Sequence, residues 1–225
     1  MRPPDDVAGT FGLTRRFVNQ AEVVLALDGV TMTVRRAALT VIVGPSGSGK
    51  STLLGQLACI DRPSEGSVTI EGIDVGVQSR RARRELRRRR LGVVLPQPSD
   101  NLLDEHDAVG NIRWAARQRG TPVTTEAARA QLDLVGLHDA AAKHPVALSG
   151  GEQQRLAVLC AAVGEPLMVL ADEPTASLDR ATAATLAEVL RALTDRGTTT
   201  VVATHDPVLV AVADVVVALD HGRLA

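Results

Sequence analysis

Aromatic residues are almost missing from this sequence: one Trp, two Phe and no Tyr in 225 residues. Stacking platforms for single-stranded nucleic acid need several such rings, which argues against that ligand class. The core has to be built from Val, Leu and Ala instead. A net charge of either sign is missing too. Lys and Arg number 25 against 26 Asp and Glu, a formal −1, so no overall basic field points to nucleic acid. Cysteine is scarce: Cys59 and Cys160, far apart and in apolar surroundings, read as small buried thiols of a reducing compartment rather than a disulfide. No apolar run approaches the ~20 residues of a membrane span. The start, Met1-Arg-Pro-Pro-Asp-Asp, is polar and is followed by no signal-like block. The expectation is one compact cytosolic domain, long enough to bury a sizeable core, that reaches a membrane only through a partner.

What is present is a strand–helix–strand texture. The first dozen residues, rich in Pro, Asp and Gly, read as a loose tail. Residues 23–34 carry Val, Leu and Thr around Asp28-Gly29 and predict two short strands and a turn. Leu39-Thr-Val-Ile-Val43 is a continuous run of the kind buried on both faces of a sheet. A helix is expected over 50–60, broken by Asp61-Arg-Pro-Ser-Glu-Gly66, then an edge strand over 67–70 and another strand over 91–95. Residues 80–90 are arginine-rich and read first as a solvated helix, with a docking surface for acidic lipid headgroups or a partner as the sharper alternative. From 98 to 147 the texture turns to short amphipathic helices, at 107–118 and 125–135, as in an inserted lobe. Strands over 169–171 and 199–203 flank a helix at 181–194, and a strand over 215–219 leads to a closing hairpin.

Three stretches carry chemistry. Gly44-Pro-Ser-Gly-Ser-Gly-Lys-Ser51 follows a strand and opens a helix, the context of a phosphate loop. Its glycines at 44, 47 and 49 let backbone N–H groups turn inward, and the helix N-terminus aims its dipole at the same charge. Lys50 supplies a cation for the β- and γ-phosphates, and the Ser51 hydroxyl suits Mg²⁺. Thr52, one residue on, belongs to the same binding set with Pro45, Ser46 and Ser48. Leu167-Met-Val-Leu-Ala-Asp-Glu-Pro174 is an apolar run ending in two acids, of which Asp172 suits Mg²⁺. Leu148-Ser-Gly-Gly-Glu-Gln-Gln-Arg155 reads locally as a helix start, Ser149 as N-cap and Glu152 at the capping-box position, with Gly164 as the stop. A cap needs no glycine pair. Gly150 and Gly151 suggest instead a backbone that must approach a phosphate.

In this order, with Gln97, Asp179 and His205 at fitting distances, the set resembles the ATP-binding cassette (ABC) family over nearly the whole chain. The resemblance implies a P-loop ATPase α/β core with a mostly parallel central sheet, an N-terminal antiparallel β part and an inserted α-helical subdomain. The core would comprise 1–96 and 150–225, the subdomain about 97–149. It implies that Glu173 polarises the attacking water, that Gln97 contacts Mg²⁺ or water and hinges the lobe, and that His205 reaches the γ-phosphate. It further implies that Ser149, Gly150, Gly151 and Glu152 contact the ATP held by a second copy, with Asp179 in the loop that crosses the same interface. The partners implied are a second copy, with two ATP between the chains, and a permease on a separate polypeptide. The chain would then sit on the cytoplasmic face of the cell membrane. For the adenine ring the family uses an upstream aromatic, and Phe17 is the candidate, Phe11 lying too far upstream. Two departures stand out: Ala37-Ala38 where Gly-Glu is usual, and Pro96 where an aromatic usually precedes the glutamine.

Ala26-Leu-Asp-Gly-Val30, Ser48-Gly-Lys-Ser-Thr-Leu-Leu54 and Cys59-Ile-Asp-Arg-Pro-Ser-Glu-Gly66 resemble the lipoprotein-release, macrolide-export and cell-division group. The expectation is the ATP-hydrolysing subunit of a transporter. The alternative is the ATPase of a cargo-free mechanical signalling complex, acting through its permease. A soluble repair or translation ATPase is disfavoured, since one short cassette carries neither a coiled-coil insertion nor a second cassette.

Overall fold

The structure, a computed structural model, describes residues 6–18 and 23–225. Two sheets form its frame. The first is antiparallel and holds β1 (Asp6–Val18), β2 (Val23–Arg35), β4 (Glu65–Ile70) and β5 (Ile73–Asp74) in the order β2-β1-β4-β5. The second holds β3 (Leu39–Val43), β6 (Leu91–Val94), β7 (Met168–Asp172), β8 (Thr199–Ala203), β9 (Val215–Asp220) and β10 (Arg223–Leu224), ordered β10-β9-β3-β8-β7-β6. All its neighbours pair in parallel except β10, which closes a hairpin with β9.

The parallel strands are apolar on both faces because both faces are covered. Leu39, Val41, Val169, Ala171 and Val202 point to one core, shared with helices α3 (Ala108–Arg119), α4 (Thr125–Leu134), α5 (Gly150–Ala162) and α6 (Arg180–Asp195). Ile42, Met168, Leu170, Val201 and Ala203 point to the other, where helix α1 (Lys50–Leu57) lies between the two sheets. Alternation along each strand thus divides its residues between two cores. Helix α2 (Arg80–Arg90) buries no residue, as its composition predicts, and a short α7 (Pro207–Ala211) follows β8.

Four sequence expectations need correction. Residues 67–70, read as an edge strand, belong to β4, which lies inside its sheet between β1 and β5. The tail read into the first dozen residues is a strand from Asp6 onward, its first five residues lying outside the described ones. This strand is central in its sheet, paired to β2 and β4, with Val7, Ala8, Thr10 and Leu13 buried. Register shifts between Thr10 and Leu13 and again toward Arg16 disturb the alternation, so the period-2 signal is lost. The two strands and turn read into 23–34 are one strand: the register jumps from Leu13↔Val30 to Arg15↔Leu27, and Asp28-Gly29 form a bulge rather than a reversal. Finally, α1 ends at Leu57, a turn earlier than read, because Cys59 turns to a φ of 56°.

Candidate nucleotide site

Strand order assembles the site. In the run β3-β8-β7-β6 each strand is parallel to the next, so the loops leaving their C-terminal ends are neighbours. Those loops carry the phosphate loop after β3, His205 after β8, Asp172 and Glu173 at the end of β7, and Gln97 after β6. A cleft of about 620 Å³ opens there. Its walls are residues 44–52, with Val24, Leu25 and Ala26 on one side and Glu173, Ala176 and His205 on the other.

Within the cleft, Gly49 at φ 102° turns the loop into α1, and a Cβ on it would fall 2.5 Å from the Ala26 oxygen. Only glycine fits this junction between the phosphate loop and the antiparallel sheet. Lys50 is buried except for its reach into the cleft; its Nζ donates to the carbonyls of Gly44 (2.8 Å) and Pro45 (3.1 Å) and lies 3.8 Å from Glu173 Oε1. The stem is packed and the ammonium is held over the loop rather than in open water. The Ser51 hydroxyl donates to Asp172 Oδ1 at 3.0 Å, which joins the start of α1 to the end of β7. Burial pushes the Asp172 carboxyl above the ordinary carboxylate range, and the neighbouring Glu173 charge adds to this; the Ser51 hydrogen bond and Lys50 pull the other way. A carboxylate so placed gains from a nearby cation.

Glu173 adopts φ 43°, a left-handed conformation uncommon outside glycine, while its N–H donates to the Ala203 carbonyl at 2.8 Å. That bend turns its side chain toward the end of β8. There its Oε2 accepts from the Thr204 hydroxyl (3.1 Å), and His205 Nδ1 sits 3.2 Å from Oε1 and 3.1 Å from Oε2. Glu173 thus has three polar neighbours, Lys50, Thr204 and His205, of which the first and last are residues singled out in the sequence for the phosphates. Thr204 was missed. It stands in Ala203-Thr-His-Asp206, and a hydroxyl at the end of a buried strand, immediately before the histidine read for the γ-phosphate, is the signal that could have found it.

The remaining expected residues lie outside the cleft lining. Gln97 is exposed, its carbonyl accepting from Asn101 Nδ2 at 2.8 Å. Phe17 is 40 % exposed at the end of β1, with the Arg15 guanidinium 4.3 Å above its ring; it pairs with Val24, which does line the cleft. Ser149 caps α5 in a full capping box, its hydroxyl bonded to Glu152 Oε2 at 2.8 Å. Asp179 caps α6, accepting from the N–H groups of Ala181 and Thr182. The two glycines of the signature differ. A Cβ on Gly151 would fall 2.2 Å from Thr182 Cγ2, whereas one on Gly150 would meet nothing within 4 Å. Packing of α5 on α6 accounts for Gly151 within the chain, and Gly150 alone faces open space.

Residues 27–176 match the family described as ABC transporter. An uncharacterized ABC transporter ATP-binding protein of Thermotoga maritima is 41 % identical over 88 % of this chain and 85 % of its own length. The lipoprotein-releasing system ATP-binding protein LolD of Bordetella pertussis is 42 % identical over 88 % of this chain and 86 % of its own. The macrolide export ATP-binding/permease protein MacB of Rhodospirillum rubrum is 38 % identical over 98 % of this chain but only 34 % of its own length. Among solved structures, the dimeric ABC transporter cassette MJ0796 superposes with a TM-score of 0.84 at 30 % identity, each chain covered to 96 %. Its dimeric post-hydrolysis state with ADP and Pi gives 0.86. With its phosphate loop, paired acids and histidine gathered at one sheet edge, the chain belongs to the ABC transporter ATP-binding family.

Proposed function

We propose that this ATPase binds ATP with Mg²⁺ in the cleft between the phosphate loop and Glu173, and that a second copy completes the site. The observation that carries this reading is the division of its parts. Residues 44–52, Glu173 and His205 share one cleft, while Ser149, Gly150, Gly151, Glu152 and Asp179 stand outside its lining. A head-to-tail dimer brings the second set over the cleft of the first. Backbone N–H groups of the loop and the Lys50 ammonium would bind the phosphates, and the adenine would rest near Val24 and Phe17.

The donor set fits Mg²⁺. The Ser51 hydroxyl and a desolvated Asp172 carboxylate lie within hydrogen-bond distance of each other. Among the described residues no group of three or more His, Cys, Asp or Glu is gathered for a metal, so most of the shell falls to phosphate oxygens and water, as Mg²⁺ accepts. Bound there, Mg²⁺ supplies charge neutralisation along the phosphates. Glu173 accepts the proton of the attacking water or orients it, while Thr204 and His205 fix its carboxylate and His205 extends toward the γ-phosphate. Gln97, at the start of the 97–149 lobe, links that lobe to the site.

The same reading gives the chain a permease partner. A groove of about 300 Å³ lies between the core and the lobe, lined by Val93, Leu95, Trp114, Arg119 and Ala157 among others, with Trp114 40 % exposed. An amphipathic helix of a permease suits such a groove. Among the described residues no helix is long and apolar enough to cross a membrane. The proposed location is accordingly the cytoplasmic membrane face, held there by the permease.

The test is ATP hydrolysis by the purified chain beside Glu173→Gln, with size-exclusion chromatography in ATP. A drop in turnover of about 100-fold or more, with the variant trapped as an ATP-dependent dimer, is expected. A wild-type chain that binds no nucleotide overturns the assignment.

A further inference from the structure

Helix α2 concentrates charge in a way its local structure does not use. Eight arginines against one glutamate give it a formal +7, while the whole chain carries −1, leaving −8 on all other residues together. Three of the eight are spent on acids: Arg88 and Arg89 on Glu85, and Arg90 on Glu71. The other five, Arg80, Arg81, Arg83, Arg84 and Arg87, have no acid partner among the described residues. Those five line a single groove of about 720 Å³, together with Cys59 and Ile60. Two of them are fixed in place by neutral groups: Arg83 donates to the Asp61 carbonyl (2.9 Å) and Arg87 to the Cys59 carbonyl (3.0 Å), which orients the guanidinium without cancelling its charge. Beside them Ile60 is 52 % exposed.

We propose that this groove is a docking surface for the headgroups of anionic phospholipids. Clustered guanidinium groups bind phosphate oxygens through paired N–H donors, and a cluster of this size on a helix is enough to hold a protein weakly at an anionic leaflet. The exposed Ile60 gives the patch an apolar contact that a soluble anion does not need. The −8 on the other residues matters as well: taken together they are repelled by an anionic surface, which favours binding with α2 toward the lipid. An extended nucleic acid would run off the patch onto that repelling surface and would find almost no aromatic ring for stacking. Arg87 also lines the groove proposed to seat a permease helix, so lipid and permease would be met from one side. That continuity rests on the reading given under Proposed function; the charge argument does not.

The experiment is flotation of the full chain with vesicles of phosphatidylcholine alone or with about a third phosphatidylglycerol, without nucleotide, at low salt and at 0.5 M salt. The wild type is expected to float only with the anionic vesicles and to be released at high salt, where the screening length is a few Å. The triple variant Arg80→Ala/Arg81→Ala/Arg84→Ala replaces exposed side chains with no hydrogen bond among the described residues. It is expected to lose partitioning by on the order of 100-fold, with an unchanged melting temperature and unchanged ATP turnover in solution. Equal binding to neutral and anionic vesicles overturns the proposal, as does equal binding by the triple variant. Release from the vesicles by stoichiometric duplex DNA or by soluble polyphosphate overturns it in favour of those ligands. A chain that floats as expected yet binds no ATP leaves the docking surface standing and removes the nucleotide-site reading instead.

Discussion

Thr182 holds two parts of the proposed dimer interface at once: its Cγ2 fills the space that a Cβ on Gly151 would enter, at 2.2 Å, and its hydroxyl donates to Asp179 Oδ2 at 2.6 Å. The start of α5 and the cap of α6 are thereby set against each other through one side chain. The neighbouring glycines are predicted to part company on mutation. Gly151→Ala forces α5 from α6 and should cost about 1–3 kcal/mol, lowering the melting temperature by roughly 2–10 °C in a chain of this size. Gly150→Ala adds a methyl into open space at a helix N-terminus, where Ala is the better helix former, and should leave melting within about 2 °C. Its effect should fall on ATP turnover, reduced about tenfold or more, because the methyl occupies the space assigned to the partner's phosphate. Thermal denaturation and turnover on both variants check this. A Gly150→Ala protein with normal turnover would remove Gly150 from the site.

The chemistry of this chain was legible because phosphate binding demands particular residues in a particular order. The loop at 44–51, the acids at 172 and 173 and the histidine at 205 could be singled out from sequence, and parallel strand order brings the loop, Glu173 and His205 to one cleft, with Asp172 bonded to Ser51 beside it. The glycine pair was read as one feature with one cause, and only packing separates Gly151 from Gly150. The contact of Glu173 with Thr204 depends on a left-handed backbone at Glu173 that no propensity foretells. The N-terminal sheet was the least legible part. Bulges in β1 and at Gly29 shift the side-chain phase, so a buried central strand carries the composition of a tail. Short α7, five residues long, has too little sequence to show a period.

Both cysteines should be inert while the protein is folded. Burial pushes the Cys59 thiol up to about 11 and the Cys160 thiol up to about 12, with Arg87 and Arg83 near the first and Arg119 near the second only partly opposing this. The nucleophile is the thiolate, so at pH 8 neither should react with a disulfide reagent on the timescale of minutes, and both should react at once in 6 M guanidinium chloride. Fast labelling of one thiol in native buffer would place that cysteine in a locally open segment.

Asp214 ties the start of the phosphate-loop strand to the rest of the sheet. Its Oδ2 accepts from the buried Leu39 N–H at 2.7 Å and from Arg191 Nη1 at 2.7 Å, and its own N–H donates to the Leu39 carbonyl at 2.9 Å. The Leu39 N–H first, and the Arg191 guanidinium after it, hold the carboxyl below the ordinary range. Asp214→Ala leaves that buried N–H unpaired and should cost about 1–3 kcal/mol at pH 7; the Arg191 pair adds little, because Asp214 is 39 % exposed and solvent screens it. The sign of the pH dependence follows. A carboxyl with a depressed folded pKa contributes stability that is fully present above its unfolded value, about 3.9, and is lost as pH falls through the folded value. The gap between wild type and Asp214→Ala, measured by urea denaturation, should therefore be constant between pH 5 and 8 and narrow only below about 4. A gap that changes between pH 5 and 8 would assign the effect to a histidine, since a carboxylate held low by a buried N–H has no proton to exchange there.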